Sequence, residues 1–364
     1  VARYLVHVGE EDSAHAFIKR AKRVAVDPWL MASEIAIAQV ARAQSTQLRK
    51  AQRAISTKAF SDRDVSELAA AVGGAELMQG NLKEARKLFR LALERPNDNV
   101  LAQAITNQAF LQIEVDEQVI RRAPSNVFEG RALQAMTEAK FEDASRLMDC
   151  WAEEEPFSSR PRMLQSYVNG ALGDFEKAKQ AAEIGLVADP LDLSLRGNKA
   201  YSLAALGKLD EAEIELNLIE GHRDDNYRPT NDATRGMVAF MRGDVERGRQ
   251  LYEQALDSFE KRKEKEQVTD CLAFMARTMK SANAPGTDEV LKRAVERFKK
   301  EPSLAAAVIL RGLEQEVKAV EQPELRKTVQ WEWNPETNTL TEKRELTRKG
   351  APGLVILGNS KLHK

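Results

Sequence analysis

Few side chains in this sequence could do chemistry, and their spacing argues against the usual kinds. The histidines are His7, His15, His222 and His363, and the cysteines are Cys150 and Cys271. Zinc sites gather such ligands at short, recurrent spacings, and none of these residues has a second His or Cys so placed, so no metal is expected. No Gly-x-Ser-x-Gly elbow or Cys/His pairing offers a nucleophile. Gly353 and Gly358 stand like the outer glycines of a phosphate loop, but Asn359 occupies the position that needs Lys and no strand-to-helix setting surrounds it. Carboxylates are abundant and fall at helix positions where solvation accounts for them. We therefore expect a non-enzymatic chain without a cofactor. Both cysteines read as buried thiols of a reduced compartment, which suits a cytoplasmic location.

With catalysis set aside, the question becomes which elements the chain builds and what surface they present. Hydrophobic residues make up 43% and aromatics only 6%, a profile suited to helices packed closely through small residues. The formal net charge is -1, with mildly basic ends around an acidic middle. No apolar run approaches the roughly 20 residues that span a bilayer.

The organising pattern lies between Asn126 and Gly221. It reads Ala139-Lys-Phe141-Glu-Asp-Ala144, then Gly173-Asp-Phe175-Glu-Lys-Ala178, then Gly207-Lys-Leu209-Asp-Glu-Ala212, at intervals of 34 residues. Pro156 and Pro190 follow the first two copies, each placed to stop a second helix. A fixed period of this size, with two helical segments per unit, predicts a solenoid. Gly80-Asn-Leu82-Lys-Glu-Ala85 restates the hexapeptide with Gly73 before it and Pro96 after, and Gly243-Asp-Val245-Glu-Arg-Gly248 is a divergent copy.

The small residue, aromatic or Leu, acidic residue and Ala resemble the tetratricopeptide repeat, in which this hexapeptide spans the turn between the two helices of each unit. The resemblance covers about residues 10–303. It implies an all-α, right-handed superhelical solenoid of antiparallel helix pairs over residues 1–322, followed by a C-terminal extension at 323–364. Arg162 and Arg196 depart from it, since the family places an aromatic side chain there. The first unit reads as truncated, with a helix from Ser13 to Val26 preceded by a few residues before Gly9. Helices are further expected over 29–43, 46–56, 62–79 and 100–113. A shortened unit at 117–123 precedes Pro124, and a polar insertion occupies 221–231. The helix after Gly243 is expected to run towards Glu266, helices follow over 267–280 and 287–300, and a closing helix spans 304–320. Around Asn334-Pro335, the alternation of Thr328 to Trp333 with Thr339 to Arg344 reads as a β-hairpin, whose Trp331 and Trp333 form a second candidate contact surface.

The resemblance also implies a concave groove lined by the first helix of each unit. By register, its lining is Asn126, Glu129, Leu133, Met136, Arg160, Met163, Tyr167, Tyr201, Ala204, Thr230, Met237 and Phe240. Asn198 falls where related peptide-binding arrays place an Asn that hydrogen-bonds a ligand backbone. The Lys/Asn clamp that some relatives use for a terminal carboxylate is not recognisable. The expected function is a scaffold or adaptor that binds a protein or peptide segment in this groove. The first alternative is the regulatory array of a larger enzyme or complex whose catalytic part lies upstream or on another subunit. Ranked last is nucleic-acid binding through Lys19, Arg20, Lys22, Arg23, Arg49, Lys50 and Arg53, because a basic helix face is ordinarily only solvated.

Overall fold

The structure, a computed structural model, describes residues 1–313 except Val8, Ser125 and 221–225, together with two strands beyond them. It is an all-α solenoid of antiparallel helix pairs, and the described helices divide into two compact units, over 1–133 and 134–313. The first contains α1 (Ala2–His7), α2 (Glu11–Lys19), α3 (Pro28–Val40), α4 (Leu48–Ser56), α5 (Asp62–Met78), α6 (Leu82–Ala92), α7 (Asp98–Leu111) and α8 (Glu117–Arg122), and the division falls within α9 (Phe128–Thr137). The second contains α10 (Phe141–Glu154), α11 (Arg160–Leu172), α12 (Phe175–Ala188), α13 (Leu193–Ala205), α14 (Leu209–Glu220), α15 (Arg228–Met241), α16 (Val245–Lys261), α17 (Lys265–Ser281), α18 (Thr287–Lys300) and α19 (Leu304–Gly312).

The hexapeptide works as its composition predicts. Gly80, Gly173, Gly207 and Gly243 each take a left-handed backbone at the turn, with φ between 77 and 87°, a conformation that costs glycine little. Ala139 takes the same conformation at φ 54°. The closing Ala of the pattern, at Ala85, Ala144, Ala178 and Ala212, is wholly buried where the two helices of a pair meet. Helix starts are capped by side chains that accept from free backbone N–H groups: Asp27 for α3, Ser61 for α5, Asn97 for α7, Asp192 for α13 and Ser303 for α19. Pro156 and Pro190 lie just past the ends of α10 and α12.

Two expectations are corrected, and a third falls partly outside the described residues. The helix read over 13–26 stops at Lys19, and from there to Val26 the chain continues in tighter turns bonded three residues apart, with Val24 still buried and Lys19, Arg20, Lys22 and Arg23 exposed. The α16 helix ends at Lys261 instead of reaching Glu266, because Lys263 turns left-handed at φ 61° before α17 begins. The closing helix is described only to Gly312, and its continuation to residue 320 lies outside the described residues. The insertion at 221–231 is described only from Asn226 onward. The C-terminal strands, β1 (Gln330–Asn334) and β2 (Thr339–Lys343), pair antiparallel, with Trp331 opposite Glu342 and Trp333 opposite Leu340.

Candidate functional site

Within the second unit the first helices of successive pairs form a closed circuit. α11 packs on α13, α13 on α15, α15 on α17, α17 on α19, and α19 returns to pack on α11. The side of α11 and α13 expected to line a groove is therefore approached by later helices of the same unit: α19 packs on α11, and side chains of α17 reach both α11 and α13.

Arg277 of α17 makes that approach specific. Its Nη1 donates to the Ala171 carbonyl at 2.7 Å, and its Nη2 donates to the Gly170 carbonyl at 2.7 Å and to the Tyr201 hydroxyl at 2.6 Å. Both carbonyls belong to the last turn of α11, where helical C=O groups lack intrahelical partners and the helix dipole favours a cation. The guanidinium lies 5.1–5.8 Å from the ring centres of Phe175, Tyr201 and Phe274, within cation–π range. Tyr201 meets Phe175 and Phe274 edge-on, at centroid distances of 6.0 and 5.3 Å. Arg277 Nε is buried and has no partner among the described residues.

The expected groove residues separate into three groups. Met163, Met237, Phe240, Leu133 and Met136 are buried and serve helix packing; Ala204 is fully buried as well. Phe240 covers Gly248 and meets the Tyr252 ring at 6.0 Å, which explains why it is not a groove side chain. Glu129 is also buried, and its backbone N–H, with that of Gly130, donates to the Asp98 carboxylate. Asn126 lies exposed in the turn before α9 and Thr230 is exposed on α15, so neither joins the others. Of the remainder, Tyr167 and Tyr201 both face α17, and Asn198 joins α13 to α11. Asn198 Nδ2 donates to Ser166 Oγ at 2.7 Å and to the Met163 carbonyl at 3.3 Å, so its donors are used by α11 itself. Tyr167 is half-buried, and burial, with Asp270 and Glu266 of α17 nearby, holds its hydroxyl well above the ordinary tyrosine range. Arg160 is half-buried with its guanidinium 5.2 Å from the Trp151 ring centre.

Sequence reasoning missed Asp270, Phe274 and Arg277, because no repeat register links them to α11 and α13. Asp270 accepts from the Ala306 backbone N–H at 3.1 Å and from Ser303 Oγ at the start of α19. Burial outweighs these bonds and pushes its carboxyl up to about 6. The reading of all carboxylates as solvated is corrected too. Glu34 is fully buried and accepts from Ser45 Oγ, Thr46 N and Thr46 Oγ1 at 2.5–3.0 Å, with His15 Nε2 at 3.4 Å. Glu215 is buried between Arg196 and Lys199, at 2.9 and 2.8 Å. Arg162 and Arg196, which stand where the family places aromatics, each reach a carboxylate on a neighbouring second helix: Asp149 on α10 and Glu215 on α14. Cys271 is buried, whereas Cys150, expected to be buried, is partly exposed.

Among the described residues no cluster of His, Cys, Asp or Glu is placed to hold a metal ion, and no helix is long and apolar enough to cross a membrane. The basic residues Lys19, Arg20, Lys22, Arg23, Arg49, Lys50 and Arg53 are all exposed.

Comparison with known proteins places this geometry in context. Residues 167–226, which include Tyr167, Asn198 and Tyr201, match the family model described as tetratricopeptide repeat. No curated protein sequence matches the chain. Among solved structures, the crystal structure of the P58(IPK) TPR domain is similar at 15% identity over 89% of this chain and 98% of that one, with a TM-score of 0.27.

Proposed function

We propose, from the premise that this is a tetratricopeptide-repeat protein, that it is a protein-interaction scaffold and that its second unit receives a partner segment on the side of α11 and α13 facing α17. The observation that carries this reading is the convergence of Tyr167 and Tyr201 there, opposite Phe274 and Arg277, with Asn198 joining α13 to α11. These are large, half-buried side chains with polar tips, the kind that anchor protein interfaces while keeping a hydrogen-bonding handle. Glu266 and Asp270 beside Tyr167 favour a segment of positive charge over an acidic one. The preassembled repeats lower the ordering cost of binding, although a segment entering here has to displace Arg277 from Tyr201 and the end of α11.

Site-specific photo-crosslinking tests this. A benzoylphenylalanine residue replacing Tyr167 should capture a discrete partner in cells, and the same group replacing Ile184, which is 45% exposed on α12, should not. Equal capture at both positions, or none at Tyr167, counts against the site. Retention on RNA or DNA that weakens steeply with salt would favour the basic N-terminal helices instead. Co-purification with a catalytic subunit would place the scaffold in a regulatory role.

A further inference from the structure

The cradle around Arg277 has the chemistry of a recognition site. Two carbonyls at the end of α11 and the Tyr201 hydroxyl converge on one guanidinium, and Phe175, Tyr201 and Phe274 wall it in. Recognition uses only the terminal nitrogens: Nη1 and Nη2 donate to both carbonyls and the hydroxyl, and the buried Nε has no partner among the described residues. The fork fixes the axis of the Cζ–Nε bond, so an incoming guanidinium has to enter along the line that Arg277 takes. A planar fork whose two terminal nitrogens reach separate acceptors matches this arrangement better than the single point charge of an ammonium. Gly173 at φ 87° ends α11 beside the cradle, and even a methyl group there would stand 3.9 Å from Arg277 Nη1.

We infer that the end of α11 is a guanidinium-binding site, occupied here by the chain's own Arg277 and able to take an arginine from a partner segment in its place. The inference rests on the scaffold reading above and names the chemistry of the side chain the partner would present. Arg277 then acts as an internal competitor. Because it is tethered, its effective concentration is high, and an incoming arginine displaces it only when flanking contacts, such as those at Tyr167 and Asn198, add to the binding. A lone arginine side chain should not displace it, but should enter once Arg277 is removed.

The test uses the full chain with argininamide as probe and lysinamide as control, at matched ionic strength, followed by thermal unfolding. The Arg277→Ala variant should melt below the wild type. Argininamide at about fivefold excess over its Kd should raise the variant's Tm by about 2–4 °C, while lysinamide leaves it unchanged and neither compound moves the wild type. If argininamide does no better than lysinamide on the variant, or raises the wild type equally, the site is not a guanidinium site and Arg277 is only a structural tie. Should Arg277→Ala fail to fold, Arg277→Met keeps the apolar stem without the fork, and the same comparison applies. The measurement needs no partner, so its failure would leave the crosslinking result standing, and a failed crosslink would leave this one standing.

Discussion

Single residues in this chain matter most where a charge has been taken out of water. Asp270 is the clearest case, because burial raises its carboxyl from an ordinary 3.8 to about 6 while it holds the start of α19. The folded state then binds a proton more tightly than the unfolded chain between about pH 4 and 6. Stability contributed by this group is present at low pH, is lost as pH rises through that interval, and stays lower above it. Asp270→Asn can still accept from Ala306 N–H and Ser303 but carries no charge. Its stability should equal that of the wild type near pH 4 and exceed it by about 1–3 kcal/mol at pH 7.5, the lower figure being favoured by the partial exposure of the residue. Urea unfolding at the two pH values measures the difference, and a wild type that is the more stable at pH 7.5 would contradict it. Such residues are poorly legible in sequence. Glu34 and Glu215 look like ordinary solvated carboxylates until the donors around them are placed, and those donors come from other helices or the loop between them.

At the scale of elements the sequence is far more readable, because turns and helix stops are local. The hexapeptides, the prolines past α10 and α12 and the cap at Ser61 each signal their structure within a few residues. The one divergent hexapeptide has a packing cause. Gly248 replaces the usual Ala because a Cβ there would stand 2.7 Å from the Phe240 ring, and Gly236 on α15 faces it under the Tyr252 ring. These two glycines let α15 and α16 approach unusually closely. Gly248→Ala should therefore destabilise by about 1–3 kcal/mol through overpacking. In a Phe240→Ala background the same substitution should become neutral or stabilising by up to about 1 kcal/mol, since Ala is the better helix residue once the ring is gone. A double-mutant cycle in denaturant reads the reversal of sign, and additive effects would refute the explanation.

At the scale of the molecule, the repeat register points to the inner side of α11 and α13 but does not reveal that α17 and α19 come back to approach it. That closure depends on contacts between residues more than a hundred positions apart, such as Arg277 with Gly170 and Ala171, and no periodic signal encodes them. It also alters how the second unit should open. The last helices of an open array fray first because each has a neighbour on one side only. Here α19 is packed against both α17 and α11. Hydrogen exchange should show the amides of α19 protected to an extent comparable with those of α11, and Arg277→Ala should lower protection in both while leaving α5 and α6 unchanged. Rapid exchange of α19 in the wild type would show that the circuit does not hold. Closure has one more consequence, for how this protein can change over evolutionary time. Open solenoids lengthen or shorten by duplicating or losing whole repeats, since each copy needs only its neighbours. Where α19 packs on one particular earlier helix that freedom is lost: adding or deleting 34 residues between α11 and α17 would move Arg277 away from the carbonyls of Gly170 and Ala171.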